Sequence, residues 1–551
     1  MTAQGPALVP ATLARGANGA VASPHHLASG AGICVLRAGG SAVDAAIATN
    51  AALAVVTGYM CGLGGDAFWI IWHPPEAKAL VLNGSGRSAA GASIEAASSA
   101  GLSEMPVRGP WSVTVPGAIH SWGTAHERFG RLPWAALLAP AIDLAHGFAA
   151  SSAWSAAIES AARVFGTDGA WAKIYRPAAR AWRPGEVVRL PRLAATLQRV
   201  ADDGFGTAYE GALAKRSASY LESAGSPLRM DDFQAHRSDW DEPIATEYRG
   251  VTSLSHPPNS CGPIALELLN VLSCFDPPPP SAFGPQGVTD PRWIHLGLEA
   301  SRATLAHRDA YLTDPAAMRP DALAWLLDRG HARDVAGAIS GDHAARPTPT
   351  SLPRGGGTIY LATADRWGGL VSLIESNYAG FGSGLVDPET GIAFQNRGAF
   401  FRLDGSHINA LAPGKRTVHT LTPGMLLRDG RAWIAHGSMG GEIQPQVFAQ
   451  FVSDVVDGGL DIATAVAAPR WAADVEHHLG PPSRTLLEPR FADGVAQGIS
   501  ARGHQVTIAE PFDSRLGHAH AVEIVRHQDD GTEATLAATA DPRSEGLPAA
   551  F

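Results

Sequence analysis

Residues 355–365 read Gly355-Gly356-Gly357-Thr358-Ile359-Tyr360-Leu361-Ala362-Thr363-Ala364-Asp365: three glycines running into a strand whose first side chain is a threonine. The stretch before it, His343 to Gly357, is rich in Pro, Arg, Ser, Thr and Gly and has no apolar period, so it reads as an exposed loop. A second strand-like run, Leu370-Val371-Ser372-Leu373-Ile374-Glu375-Ser376, follows through Arg366-Trp367-Gly368-Gly369, a hairpin signal. A threonine at the first position of a strand is what an N-terminal nucleophile requires once the Gly357-Thr358 bond is cut. Its hydroxyl is a weak nucleophile at neutral pH, but a free α-amine with a pKa of about 8 on the same residue accepts the proton without help from a histidine. The glycines allow the strained turn in which that hydroxyl attacks the Gly357 carbonyl. By itself, Gly-Gly-Gly-Thr is more often a loop entering a strand, so the assignment needs support from the rest of the chain.

That support begins at Gly437-Ser438-Met439-Gly440-Gly441, which follows the strand-like Trp433-Ile434-Ala435. Consecutive glycines let two backbone N–H groups point at one developing negative charge, and such an oxyanion donor contributes about 3 kcal/mol in acyl transfer. The plain alternative is a glycine-rich turn between a strand and a helix. A further strand is expected at Thr420 to Leu427. Upstream the texture is mainly helical, with three- and four-residue apolar spacing at Ser41 to Val56, Trp134 to His146 and Leu190 to Asp203. The aliphatic 41–56 segment is expected to be largely buried.

The chain has 551 residues, 45% of them hydrophobic, enough to bury a large core. Its 61 glycines and 40 prolines are spread evenly, without a linker between independent domains. A net charge of -10 without a lysine or arginine block argues against nucleic acid as a partner. The segment Ala45 to Met60 follows Asp44 and is interrupted by Thr49, Asn50 and Gly58, so no membrane span is expected. Residues 1–20 lack the pattern of a secretory leader, and four scattered cysteines, Cys34, Cys61, Cys261 and Cys274, read as buried thiols of a cytoplasmic protein. His25-His26 and Glu476-His477-His478 lack metal-ligand spacing, so no metal is expected. Gly62-Leu63-Gly64-Gly65-Asp66 lacks the Lys-Ser/Thr of a phosphate loop and reads as a tight turn, with Phe68, Trp69 and Trp72 as core residues of the next strand.

Taken together, the blocks of the chain resemble the gamma-glutamyltransferase family of N-terminal-nucleophile hydrolases. The resemblance runs through Ala38-Gly39-Gly40-Ser41-Ala42-Val43-Asp44-Ala45-Ala46, Gly62 to Phe68, Ser112-Val113-Thr114-Val115-Pro116-Gly117, Phe381-Gly382-Ser383-Gly384, Gly391-Ile392, Thr417 to Pro423, Gly440-Gly441, Gly517-His518-Ala519-His520 and Asp541-Pro542-Arg543. It implies an α/β fold of four layers, αββα, and a proenzyme that cuts itself into residues 1–357 and 358–551. These fragments would form one intertwined heterodimer, with further assembly left open. It also implies Thr358 as nucleophile, Gly440 and Gly441 as oxyanion donors, a Ser376 hydroxyl near the nucleophile's amine, and no metal or organic cofactor.

The sequence departs from the glutathione-acting members at the substrate pocket. The family's carboxylate-binding arginine looks equivalent to Arg87, and a guanidinium suits that job through paired hydrogen bonds. The acid that holds the substrate's α-amine is replaced, by count, with Phe400 in Gln395-Asn396-Arg397-Gly398-Ala399-Phe400-Phe401, and Arg397 brings a positive charge. An ammonium beside an arginine and a phenyl ring, with no carboxylate partner, would lose binding energy on desolvation. Tyr378 stands where an asparagine is usual, and His419-Thr420 replaces a pair of serines; His419 is either a substrate contact or a structural histidine. These changes resemble the branch holding acylases and the oxamate amidohydrolase, so the expected substrate is a small amide whose acyl group carries a carboxylate. Two other readings stand beside it: a true gamma-glutamyl hydrolase or transferase, and an unprocessed binding protein.

Overall fold

A computed structural model describes residues 12–345, 357–475, 483–527 and 534–551 of the chain. The expected hairpin is present: strands Gly357–Asp365 and Leu370–Tyr378 run antiparallel, with Ala364 opposite Leu370 and Thr358 opposite Ser376. Every residue in both strands is buried, so the two-residue alternation divides two cores instead of core from solvent. Ile359, Leu361, Val371 and Leu373 face helices, whereas Tyr360, Ala362, Ala364 and Ile374 face another sheet.

The first sheet runs Ala549–Ala550, Gly19–Ala22, Gly357–Asp365, Leu370–Tyr378, Asp66–His73, Lys78–Gly84, Asp239–Asp241. The second runs Leu13–Gly16, Thr535–Ala540, Ala519–Arg526, Arg431–Ser438, Gly424–Arg428, Val251–Ser255, Ile244–Tyr248. Helices Ala42–Val56, Ala118–Phe129 and Trp134–His146 cover the first sheet, and Gly262–Leu272, Pro291–Tyr311 and Gln444–Val456 cover the second. The order is αββα, with the inter-sheet core built from Phe68, Ile70, Trp72, Leu254, Tyr360, Leu421, Met425 and Val522 among others. Residues before 357 supply strands to both sheets as well as most helices, so neither side of the Gly357-Thr358 bond forms a sheet alone. Among the described residues no helix is long and apolar enough to cross a membrane.

Helix Ala42–Val56 is buried at every residue, and its start shows how the fold is held around strand Gly357–Asp365. Ser41 and Asp44 form a capping box. Asp44 Oδ2 also accepts from the amides of Arg131 and Leu132, at 2.9 and 3.2 Å, while Asp365 at the far end of that strand accepts from Ala42 N at 2.8 Å. Asp44→Ala in the uncut protein is expected to cost about 2–3 kcal/mol, a lost cap plus buried amides left unpaired, read by denaturant unfolding.

Three local expectations shift. The strand expected at Thr420 to Leu427 begins at Gly424, because Pro423 has no N–H for the ladder and Thr422 turns its hydroxyl onto the Thr420 carbonyl at 3.0 Å. Helix Pro191–Asp203 leaves out Leu190, since Pro191 takes the first helical position. Of the four cysteines, all free, Cys61 and Cys261 are buried but Cys34 and Cys274 are exposed, one on the outer side of helix His26–Arg37 and one just past the end of helix Gly262–Leu272.

Candidate active site

The Gly357-Thr358 bond, the candidate cleavage position, lies at an irregularity of the first sheet: pairing shifts register between the two residues, so the strand bulges there. A Cβ on Gly357 would lie 2.9 Å from the Ala379 carbonyl carbon and 3.0 Å from Gly380 N, backbone atoms that cannot move aside, so only glycine fits. Thr358 is 1% exposed, and its hydroxyl donates to Ser376 Oγ at 3.0 Å. Ser376 Oγ in turn donates to the Gly357 carbonyl at 2.7 Å and accepts from the Tyr378 amide at 2.7 Å. One hydroxyl thereby touches both the candidate nucleophile and the carbonyl that this nucleophile would attack.

Arg397 completes this group. Its guanidinium is 2% exposed and reaches Ser376 Oγ at 3.4 Å and Thr420 Oγ1 at 3.3 Å, both long contacts, while Nε has no partner among the described residues. Tyr378 and Phe400 flank it, with ring centres 4.6 and 5.1 Å away, and no carboxylate among the described residues pairs with it. Burial lowers its pKa to about 10, so it stays charged at neutral pH. Tyr378 is held at φ +71°, a left-handed conformation that is strained for a bulky residue and turns the chain sharply after Ser376.

Gly440 and Gly441 follow strand Arg431–Ser438 with φ of +131° and +61°. Thr358 and Tyr360 share the inter-sheet face, and the Tyr360 ring packs so closely on Gly437 that a Cβ there would lie 2.4 Å from it. The glycine turn therefore leaves the second sheet beside the start of strand Gly357–Asp365. Among the described residues neither the Gly440 nor the Gly441 amide has an acceptor, whereas the Met439 amide is tied to His518 O at 3.2 Å. Glu442, next in the turn, is gripped by Arg308 Nη1 at 2.7 Å.

Two residues singled out in the sequence stand apart from this group. The Arg87 guanidinium is 43% exposed and is engaged by Asp314 at 3.2 Å, the Gly414 carbonyl at 3.3 Å and Asp239 at 3.8 Å. His419 meets Asp66 through Nε2 at 3.3 Å, and burial holds its pKa well below the usual value, so the imidazole is neutral. Of the two histidine motifs set aside as metal sites, His25 uses Nδ1 to accept from Leu27 N at 3.2 Å, capping its helix, and Glu476-His477-His478 lies outside the described residues. The Gly62–Asp66 segment is a tight turn, closed by Gly65 N to Gly62 O at 2.8 Å.

Two buried acids were not anticipated. Asp66 accepts from the Gly86 and Gly117 amides, each at 3.2 Å, and Glu375 accepts from Gly62 N at 2.9 Å and from Asn50. Burial pushes Asp66 up to about 7 and Glu375 up to about 8. In the unfolded chain both titrate near about 4, so between those limits the folded chain holds more protons at these two sites, and the stability they contribute is lost as pH rises from about 4 to about 8. Glu375→Gln is expected to remove its share, so that the stability of the parent relative to the variant falls from about pH 5 to about pH 9 in denaturation; a difference that does not change with pH refutes it.

A gamma-glutamyltranspeptidase sequence profile matches residues 28–551. The chain belongs to the gamma-glutamyltranspeptidase family. It is 38% identical over 531 residues to the glutathione hydrolase-like YwrD proenzyme of Bacillus subtilis (strain 168), covering 96% of this chain and 97% of that one. It is 36% identical over 547 residues to the oxamate amidohydrolase proenzyme of Klebsiella pneumoniae, covering 97% and 98%. The crystal structure of cephalosporin acylase from Bacillus halodurans superposes with a TM-score of 0.89 at 35% identity, over 100% of this chain and 99% of that one. As a gamma-glutamyltranspeptidase family member with the N-terminal-nucleophile sandwich, the chain is an enzyme of the amide hydrolase and acyltransferase class.

Proposed function

We propose that the chain cuts itself between Gly357 and Thr358, and that Thr358 then hydrolyses or transfers a small amide whose acyl group carries a carboxylate. The observation that supports this most directly is the Ser376 hydroxyl, which links Thr358 Oγ to the Gly357 carbonyl beside an unpaired, buried Arg397. In processing, Thr358 Oγ attacks the Gly357 carbon and Ser376 stabilises the oxyanion. The hydroxyl proton passes to the Thr358 nitrogen as the C–N bond breaks and the new C–O bond remains, and water hydrolyses the resulting ester, leaving residues 1–357 and 358–551 as a heterodimer. Ser376→Ala is expected to slow cleavage by about 10²–10³-fold, the effect of one lost oxyanion donor, followed as band conversion over time.

In turnover the freed Thr358 amine takes the hydroxyl proton, Oγ bonds to the substrate carbonyl, and the Gly440 and Gly441 amides hold the oxyanion. The proton passes to the leaving amine as the C–N bond breaks, and water or a second amine releases the acyl group. Base, nucleophile and oxyanion donors are all protein groups.

Arg397 is the better candidate than Arg87 for the substrate carboxylate, because Arg87 already has carboxylate partners. Arg397 lies no further from Thr358 Oγ than its contact with Ser376 and the Ser376–Thr358 contact laid end to end. A carboxylate on or next to the scissile carbonyl, as in oxamate, fits that reach better than an extended glutaryl chain. With Phe400 in place of an acid and the Arg397 cation beside it, a γ-glutamyl ammonium is disfavoured there. The four free thiols fit a reducing, cytoplasmic setting.

Intact mass of the freshly purified protein tests the reading first: two fragments, the smaller beginning at Thr358, support it, and one uncut chain favours the binding-protein alternative. Oxalyl, glutaryl and γ-glutamyl anilides then separate the acyl groups; γ-glutamyl as the preferred substrate would return the family's glutathione-type activity to first place.

A further inference from the structure

Away from the nucleophile, three helices bring together residues that are 40 and 64 positions apart in sequence. Glu267 lies on Gly262–Leu272, His307 on Pro291–Tyr311 and His331 on Arg329–Ala338. Glu267 is 0% exposed, and its Oε1 meets His307 Nδ1 at 2.6 Å and His331 Nε2 at 2.8 Å. Its Oε2 is buried without a partner among the described residues, and no lysine or arginine there pairs with it. A carboxylate kept out of water with one oxygen unsatisfied and no fixed cation is a costly arrangement unless a positive charge joins it.

A neighbouring cluster shows what a self-sufficient arrangement looks like. At His295, Glu299 and His504, Arg302 supplies the cation, donating to Glu299 Oε1 at 2.6 Å and meeting His504 Nδ1 at 3.1 Å. Glu299 Oε2 accepts from the Ala345 amide at 2.8 Å, and His295 Nε2 donates to the Ser340 carbonyl at 2.7 Å. Both carboxylate oxygens of that network are engaged, whereas in the Glu267 cluster Oε2 has no partner among the described residues.

We propose that Glu267, His307 and His331 bind a divalent metal ion of the zinc class that pins the three helices together. Two imidazole nitrogens and a carboxylate are a zinc ligand set, and the three ligand atoms lie within 4.8 Å of one another. Tetrahedral bonds of about 2.0–2.1 Å require ligand atoms roughly 3.3 Å apart, so the cluster opens by about half an ångström. Binding requires the ligating ring nitrogen of each imidazole to be free of its proton, with the other ring nitrogen carrying one. The His307 side chain is 23% exposed and gives the ion and a fourth, water ligand a route in, while the Trp325 ring lies tilted over His331 with ring centres 3.7 Å apart. His307 is followed by Arg308, whose grip on Glu442 braces the Gly440-Gly441 turn, so the ion would steady a helix that serves the catalytic end of the fold.

The test uses the full-length Thr358→Ala protein stripped with a chelator, followed by equilibrium dialysis against Zn²⁺, Co²⁺ absorption and thermal unfolding. One equivalent bound in the micromolar range or tighter is expected, with a rise in Tm and quenching of Trp325 fluorescence by Co²⁺ that Trp325→Phe removes. Glu267→Gln and the partly exposed His307→Asn each weaken binding at least tenfold, and His504→Asn leaves it unchanged. No stoichiometric uptake by the stripped protein, or uptake equal in both ligand variants and the parent, overturns the site. None of these readouts depends on amide hydrolysis.

Discussion

Thr358→Ala is expected to leave the chain as one uncut polypeptide and to abolish amide hydrolysis, a loss of at least about 10⁴-fold, because nucleophile and base both reside on this residue. The residue removed is small and its neighbours are fixed by the sheet, so the fold survives: Ser376 keeps the Gly357 carbonyl and the Tyr378 amide as partners after the threonine hydroxyl is gone. Thr358→Ser keeps the attacking oxygen and is expected to cut, more slowly, because serine lacks the methyl that restricts the side chain to few rotamers. The contrast separates chemistry from folding. Cleavage at the same bond in the alanine variant, or turnover by its uncut chain, would remove Thr358 from the mechanism altogether.

Much of this arrangement was legible in the residues. The Gly357–Asp365 and Leu370–Tyr378 hairpin, the buried helix at Ala42–Val56 and the glycine turn after Ser438 are all written in local pattern, since each depends on alternation, capping or glycine at its own position. Contacts between segments far apart in sequence were not. Arg87 carries the right chemistry in the right block, yet its partners Asp314 and Asp239 come from distant segments, and no local spacing announces that they occupy it. Asp66 and Glu375 read as the end of a turn and a polar position in a strand; only the packing of two sheets and a helix reveals carboxyls buried enough to keep their protons. Arg308 and Glu442 are an ordinary helix arginine and a turn glutamate until the fold sets them 2.7 Å apart. The departures at Arg397, Tyr378 and Phe400 were visible as substitutions in a recognised block. Their joint geometry, a cation between two rings beside the nucleophile, was not.

That geometry sets the second large effect, which runs in opposite directions for activity and stability. Arg397→Met is expected to lower kcat/KM on an oxalyl or glutaryl anilide by about 10²–10³-fold, because the substrate carboxylate would enter a dry pocket and find no charge-assisted donor. The same substitution is expected to leave Tm unchanged or raise it. In the substrate-free protein the guanidinium is buried with an idle Nε and two long contacts, and its flanking rings accept a methionine of similar length readily. A residue serving only the fold would lose stability and activity together. Arg87→Ala, by contrast, removes a half-exposed cation already paired with Asp314 and Asp239, and a change of less than about threefold in kcat/KM is expected. An anilide whose acyl group is neutral should be the better substrate of Arg397→Met, since a methionine in that pocket no longer favours an anion. If carboxylated and neutral acyl groups are instead slowed alike, Arg397 does not read the substrate; if Arg87→Ala is the variant that discriminates, the carboxylate is held from the large-fragment side as in the glutathione-acting relatives.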